Sequence, residues 1–210
     1  MKLAVVGATG RIGSQVVRLA LADGHTVRAL TRAEPPDEAE PGLEWVEGDA
    51  LDPSSVARLT TGTDAVIVAL GPRPDSPPDL CGRGTTTAIA ACRAFRIGTL
   101  VVLTGAMIGH PRELLAWPLR TLSWTWRTTR AVEAADRARQ EELVTESGLG
   151  WTLVRPPRIV DGPPSGAVEA GSELFVQASA HATVGDVART MVDAAVTRRW
   201  AQSGVVVLSP

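Results

Sequence analysis

The chain has no tyrosine, two phenylalanines, three histidines and two cysteines, and of its 21 lysines and arginines only Lys2 is a lysine. Each shortage excludes something. A reaction that needs a phenol as its acid, or a lysine beyond the N-terminus, has no residue to carry it out. His25, His110 and His181 lie scattered, without the spacing that metal ligands require, so no metal is expected. Cys81 and Cys92 fall on one face of a single predicted helix, where they cannot bridge. They read as small, reduced core residues, the usual fate of free cysteine. The longest uncharged and strongly apolar stretch, residues 97–111, contains Gly, Thr and His and is too short to span a bilayer. The opening MKLAVVGATG reaches glycine too early for a signal peptide, so a cytoplasmic location is expected. A net charge of −2 and a pI near 5.9 argue against a nucleic-acid binder working through a positive field.

What remains is the composition of an ordinary globular chain. Its 210 residues, 44% hydrophobic and 21% charged, suit one domain over 1–210 that needs no disulfide or metal to fold. Short β-branched runs predict strands over 3–6, 26–30, 43–46, 64–70, 100–103, 151–154 and 204–208. Between them, helical spacing predicts helices over about 11–22, from Pro53 behind an Asp52 N-cap, and over 84–96, 131–146 and 184–197. Near-continuous Val/Ile/Leu strands separated by helices of about 10–15 residues signal βαβ units and a parallel sheet covered on both faces. Right-handed crossovers then give an α/β fold, a Rossmann-type doubly wound sheet. Prolines cluster after the second strand (Pro35, Pro36, Pro41), the fourth (Pro72, Pro74, Pro77, Pro78) and the sixth (Pro156, Pro157, Pro163, Pro164). Those positions are the carboxyl ends of strands, where open α/β sheets bind ligands.

The strongest motif is Gly7-Ala8-Thr9-Gly10-Arg11-Ile12-Gly13, which leaves the first strand and opens the first helix. Gly7 permits the tight turn, Gly10 lets the backbone approach a pyrophosphate, and Gly13 lets the helix lie close to the strand. The helix N-terminus adds partial positive charge. Thr9, Arg11 and Ile12 complete this cofactor-binding loop. After the second strand comes Arg32, where an NAD-specific site would carry a carboxylate for the ribose 2′-hydroxyl. A guanidinium suits a 2′-phosphate, so NADP(H) is the expected cofactor, although Glu34 could serve a ribose if the loop bends back. Asp49 reads either as an acceptor for the adenine amino group, with Ala50 beside the ring, or as a turn residue. Leu70 and Gly71 should line the cofactor near its nicotinamide ribose.

With these motifs placed, the chain resembles an atypical short-chain dehydrogenase/reductase of the NAD(P)H-binding, NmrA-like kind. Within that group it is most similar to the biliverdin-IXβ reductase/flavin reductase family. The resemblance rests on GATGRIG, LTR, DAVIVALGPRPD, VVLTGA, EELVTESGLGWTLVRPPRIVDGP and HATVGDVARTMVDA, which together cover almost the whole chain. Most of the superfamily uses a Tyr-x-x-x-Lys pair, whose positions fall near Glu133 and Arg137; neither residue can replace it. The flavin reductase family does not need the pair. Its active-site serine falls at Gly105, leaving Thr104 as the nearby hydroxyl, and its histidine falls at Arg158. The resemblance therefore implies Thr104 and Arg158 as candidate catalytic groups, with Pro156 beside the cofactor, and His110 is added as a loop histidine able to donate a proton or merely incidental there. Arg73, Arg158 and Trp117 are implied at the substrate, Trp124 and Trp126 being further candidates for an aromatic wall. Substrate-facing segments are expected at about 71–80, 105–130 and 156–182. The implied function is an NADPH-dependent oxidoreductase passing hydride to a planar conjugated acceptor, a flavin first, as a monomer or homodimer without nucleic-acid or membrane partners. Two alternatives stay open: a non-catalytic NADP(H)-binding sensor, and a tailoring reductase or isomerase acting on a specialised metabolite.

Overall fold

The computed structural model describes residues 1–34, 40–72 and 75–210, leaving out the side chains of residues 123, 126 and 127. Arg73 thus lies outside the described residues, as do Pro35, Pro36, Pro74 and the side chain of Trp126.

The predicted strands form one sheet. In chain order they are β1 (Lys2–Val6), β2 (Thr26–Thr31), β3 (Leu43–Glu47), β4 (Ala65–Val68), β5 (Thr99–Leu103) and β6 (Gly150–Arg155). Short strands β7 (Arg158–Val160), β8 (Glu169–Gly171) and β9 (His181–Thr183) precede the last, β10 (Ser203–Leu208). The order across the sheet is β3-β2-β1-β4-β5-β6-β10-β8, and β7 pairs with β9 separately. Seven strands run parallel; β8 is antiparallel to β10 and closes that edge.

The inner strands β1, β4 and β5 are nearly continuously apolar because both faces are covered, whereas β2 and β3 interleave Arg28, Glu44 and Glu47 toward the sheet edge. Leu3 and Val5 of β1, Ala65 and Ile67 of β4, and Val101 and Leu103 of β5 enter one core with helices α1 (Gly13–Ala22) and α7 (Val184–Thr197). Their alternate neighbours Ala4, Val6, Val66, Val68, Leu100 and Val102 enter the other, against α2 (Pro53–Thr60) and α3 (Leu80–Ala94). That two-residue alternation is the side-chain period of a strand. Between β5 and β6 the chain adds α4 (Ala106–Gly109), a 3₁₀ turn, α5 (Trp117–Thr129) and α6 (Ala131–Thr145). Among the described residues no helix is long and apolar enough to cross a membrane.

Local signals explain most boundaries. Asp52 caps α2 by accepting from the amides of Ser54 (3.1 Å) and Ser55 (3.0 Å), with Pro53 in the first turn. Hydrogen bonds from the Ser55 and Ser54 side chains add to this and hold its carboxyl well below the usual carboxylate range. Other boundaries are corrected by tertiary contacts. α1 starts at Gly13, not Arg11, because the preceding residues form the glycine turn. α3 starts at Leu80, four residues before position 84. Its first amides, of Cys81 (3.0 Å) and Gly82 (2.8 Å), are met by the Asp136 carboxylate reaching across from α6. β4 ends at Val68 rather than residue 70, since the Leu70 carbonyl accepts from Arg137 and not from a neighbouring strand. Cys81 and Cys92 share the buried face of α3 as free thiols, and burial pushes them up to about 11 and about 12 respectively.

Candidate functional site

β1 is the strand at which the order reverses: β2 and β3 extend to one side of it, β4 onward to the other. A crevice therefore opens beyond the carboxyl ends of β1 and β4. It holds a cleft of about 540 Å³ whose lining includes Gly7, Thr9, Gly10, Arg11 and Ile12. The backbone demands glycine here. Gly7 has φ +83°, and a Cβ on it would stand 2.8 Å from the Ala69 carbonyl oxygen. Gly13 does not line the cleft; it packs behind the loop, where a Cβ would collide with the Gly7 carbonyl. Gly10 faces the cleft with no side chain to fill it. The loop thus leaves a bare backbone floor at the N-terminus of a ten-residue helix, which fits the pyrophosphate of a dinucleotide.

Arg32, Asp49 and Ala50 line the same cleft, as do Leu70 and Gly71. Arg32 is exposed and makes no ion pair among the described residues, so its guanidinium is open to an anion. Asp49 accepts the Leu51 amide at 2.8 Å through Oδ1, the geometry of a turn residue, while still facing the cleft. Arg11 pairs with Asp161 at 2.7 Å, an exposed contact of little energetic weight.

A second chamber of about 530 Å³ adjoins the first. Pro72, Leu80, Thr104 and Arg137 line both. Its walls are aliphatic and proline-rich, with Pro77, Pro78, Met107, Ile108, Leu119, Leu122 and Pro157 among them. Its charges are mostly engaged. Arg130 pairs with Glu133 at 3.3 Å, and Asp136 caps α3. Arg158, on β7, is exposed at the wall and has no ion-pair partner among the described residues.

Four further expected site residues line neither chamber. His110 is buried and lines neither chamber; its Nε2 lies 2.9 Å from the Leu174 carbonyl, and burial lowers its pKa. Its ring is held at the Leu174 carbonyl and contributes nothing to the lining of either chamber. Trp117 is 74% exposed and lines neither chamber, because α5 turns its first residue outward and presents Leu119 and Leu122 instead. Trp124 is 64% exposed, so the described part of α5 builds no aromatic wall. Pro156 contributes its carbonyl to the Ala106 amide (3.1 Å), while the next residue, Pro157, reaches the chamber.

The residues that organise the junction lie on α6 and β6. Arg137 donates to the Leu103 carbonyl (2.9 Å) and the Leu70 carbonyl (3.2 Å), tying the ends of β5 and β4 together at the cleft. It also donates to Gln140 Oε1 (3.0 Å), and the fully buried Gln140 donates in turn to Thr85 (2.9 Å). Thr104 donates to Glu141 (2.8 Å), which holds Arg155 at 2.7 Å. A sequence signal existed: residues 137, 140 and 141 share a helical face with Ala134 and Val144, both buried. Polar residues on an apolar face point to an internal network.

The sequence matches the NAD(P)H-binding family over residues 7–198. It is 33% identical over 172 residues to the 2-alkyl-3-oxoalkanoate reductase of Stenotrophomonas maltophilia (strain K279a), covering 78% of this chain and 52% of that protein. The chain spans about half the length of the curated relatives it matches. Its fold is that of the oxidoreductase ylbE of Lactococcus lactis (TM-score 0.81, 19% identity, covering 100% of this chain and 91% of the other). The anaerobillin reductase ChuY of Escherichia coli O157:H7 shares it too (TM-score 0.80, 20% identity, covering 100% and 98%). At such identities these two structures speak for the fold alone. The family match spans the glycine loop, the cleft and the junction, and on that ground the chain belongs to the NAD(P)H-binding family.

Proposed function

We propose that the protein is an NADPH-dependent reductase whose acceptor is a planar conjugated compound, with a flavin as the leading case. The observation that carries this reading is the pair of chambers meeting at Thr104 and Arg137, one glycine-floored and one apolar. In it, the loop from Gly7 to Gly13 holds the pyrophosphate, Arg32 holds the 2′-phosphate, and Asp49 and Ala50 border the adenine. Leu70, Gly71 and Thr104 border the nicotinamide end. NADPH, when bound, supplies hydride. The aliphatic walls of the second chamber exclude water from the acceptor, and Arg158 takes its anionic group. The protein contributes proximity and orientation rather than an acid, consistent with a chain that has no tyrosine. A flavin suits such a site because its ring nitrogen accepts hydride directly and solvent can complete the protonation.

The test is anaerobic NADPH oxidation with FMN, riboflavin and biliverdin. Turnover with the flavins is expected. Arg32→Ala should raise the KM for NADPH about tenfold or more, the scale of lost charge-assisted hydrogen bonds, and leave NADH unaffected. A rise below about fourfold, or an equal effect on NADH, refutes the 2′-phosphate role. The missing tyrosine also favours a second reading, a non-catalytic NADP(H)-binding sensor. Tight NADP⁺ binding without turnover on any of the three acceptors would favour it or a specialised acceptor, and a partner pull-down would separate those two.

A further inference from the structure

We infer that Glu141, clamped by Arg155, fixes the Thr104 hydroxyl as a hydrogen-bond acceptor toward the junction, so that the ligand group seated there is an N–H donor, the carboxamide of the nicotinamide. The inference rests on the dinucleotide reading above and adds the polarity of one contact.

The chemistry is a matter of counting protons. Glu141 accepts from Arg155 twice, from Nε at 3.1 Å and from Nη2 at 2.7 Å. A carboxylate paired in this way only accepts. The 2.8 Å contact between Thr104 Oγ1 and Glu141 Oε1 therefore takes the single hydroxyl proton of Thr104. What Thr104 has left is lone pairs, and Thr104 lines both chambers. A group hydrogen-bonded to its hydroxyl must donate. Ribose hydroxyls can turn to either role, but the carboxamide nitrogen can only donate. By the same count, Thr104 does not hand a proton to the acceptor.

The surroundings are shaped around the ion pair. Its side chains are only 11% (Glu141) and 13% (Arg155) exposed. A Cβ on Gly109 of α4 would lie 2.5 Å from the Glu141 carboxyl carbon and 2.6 Å from Arg155 Nη2. A Cβ on Gly204 of β10 would lie 2.9 Å from Arg155 Nη2. Two backbones are thus notched with glycine where the pair sits, and a side chain at either position would displace it. Glu141 and Arg155 are positioning residues; neither lines the chambers.

The test compares binding of NADP⁺ with its 3-acetylpyridine analogue, which replaces the carboxamide NH₂ by a methyl group, using tryptophan fluorescence or calorimetry. Wild type should prefer NADP⁺ about tenfold, the scale of one lost hydrogen bond facing an unanswered acceptor. Thr104→Val should bring the ratio of the two Kd values to about one, and Thr104→Ser should restore it. Glu141→Leu alone leaves Arg155 buried without a partner and threatens folding, so the informative variant is the double Glu141→Leu/Arg155→Met, which removes both charges. Its Thr104 hydroxyl is free to turn, and the preference should collapse while NADP⁺ still binds. A double variant that keeps the tenfold preference, or a wild type that binds both ligands equally, overturns the inference and leaves the cofactor reading standing. A wild type that binds neither overturns both.

Discussion

Replacing Gly13 by alanine sets two physical effects against each other. Gly13 is the first residue of α1, and glycine inside a helix costs about 0.5–1 kcal/mol relative to alanine. On propensity alone, Gly13→Ala should stabilise the protein. The geometry says otherwise. The new Cβ would collide with the Gly7 carbonyl oxygen and stand 2.8 Å from the Gly7 carbonyl carbon and 3.0 Å from Ala8 Cα. All three are backbone atoms, against an ordinary carbon–carbon separation of about 3.5–4.0 Å, so no side-chain rotation relieves the overlap. Overpacking of this kind costs about 1–3 kcal/mol, which exceeds the propensity gain. After the propensity gain is subtracted the net loss is up to about 2.5 kcal/mol, which for a chain of this length corresponds to a fall in Tm of up to about 10 °C. Relief must come from moving the loop that lines the cleft, so NADP⁺ should bind at least about tenfold more weakly, since small displacements of a positioning element are costly. Gly98→Ala is the control: nothing lies within 4 Å of a Cβ there and its φ is not positive. Urea unfolding and NADP⁺ titration on both variants decide the matter. A Gly13→Ala protein at least as stable as wild type, with unchanged affinity, would refute the steric reasoning.

The buried ion pair should show strong coupling in a double-mutant cycle. Arg155→Met alone should cost about 3–5 kcal/mol by urea unfolding, whereas Glu141→Leu/Arg155→Met should fall within about 1–2 kcal/mol of wild type. Additive losses would mean that water screens the pair. His110 supplies a pH dependence. Burial depresses its folded-state pKa below the ordinary 6.5, so its stabilising contribution is present above that value. As the pH falls below 6.5 the unfolded chain takes up a proton that the folded protein refuses, and stability drops. His110→Gln should flatten this part of the stability-versus-pH curve relative to wild type; identical slopes in the two proteins would contradict the assignment.

Much of the fold was legible because its signals are local. Runs such as Ala65–Val68 are apolar at every position, the mark of a strand covered on both faces, and all four residues are buried. The cap at Asp52 and the glycine loop are likewise written within a few consecutive residues. The early start of α3 was not, because its cap comes from Asp136, more than fifty residues away along the chain. The antiparallel β8 was not, because three residues at a sheet edge carry too little pattern.

The candidate site divides along the same line. By itself the sequence determined that a glycine-floored turn follows the first strand, that a guanidinium stands after the second, and that no phenol is available anywhere, since composition and chain-neighbour spacing settle such matters. Only the tertiary structure decided which polar residues face one another. His110 and Trp117 sit in the right stretch of chain, yet one is packed against Leu174 and the other turned outward. Glu141 and Arg155, unremarked on their own elements, meet beneath Thr104 because α6 crosses the sheet where β5 and β6 end. A hydrogen bond is directional and effective over about 3 Å, so which residues make one depends on where the packed layers bring them together.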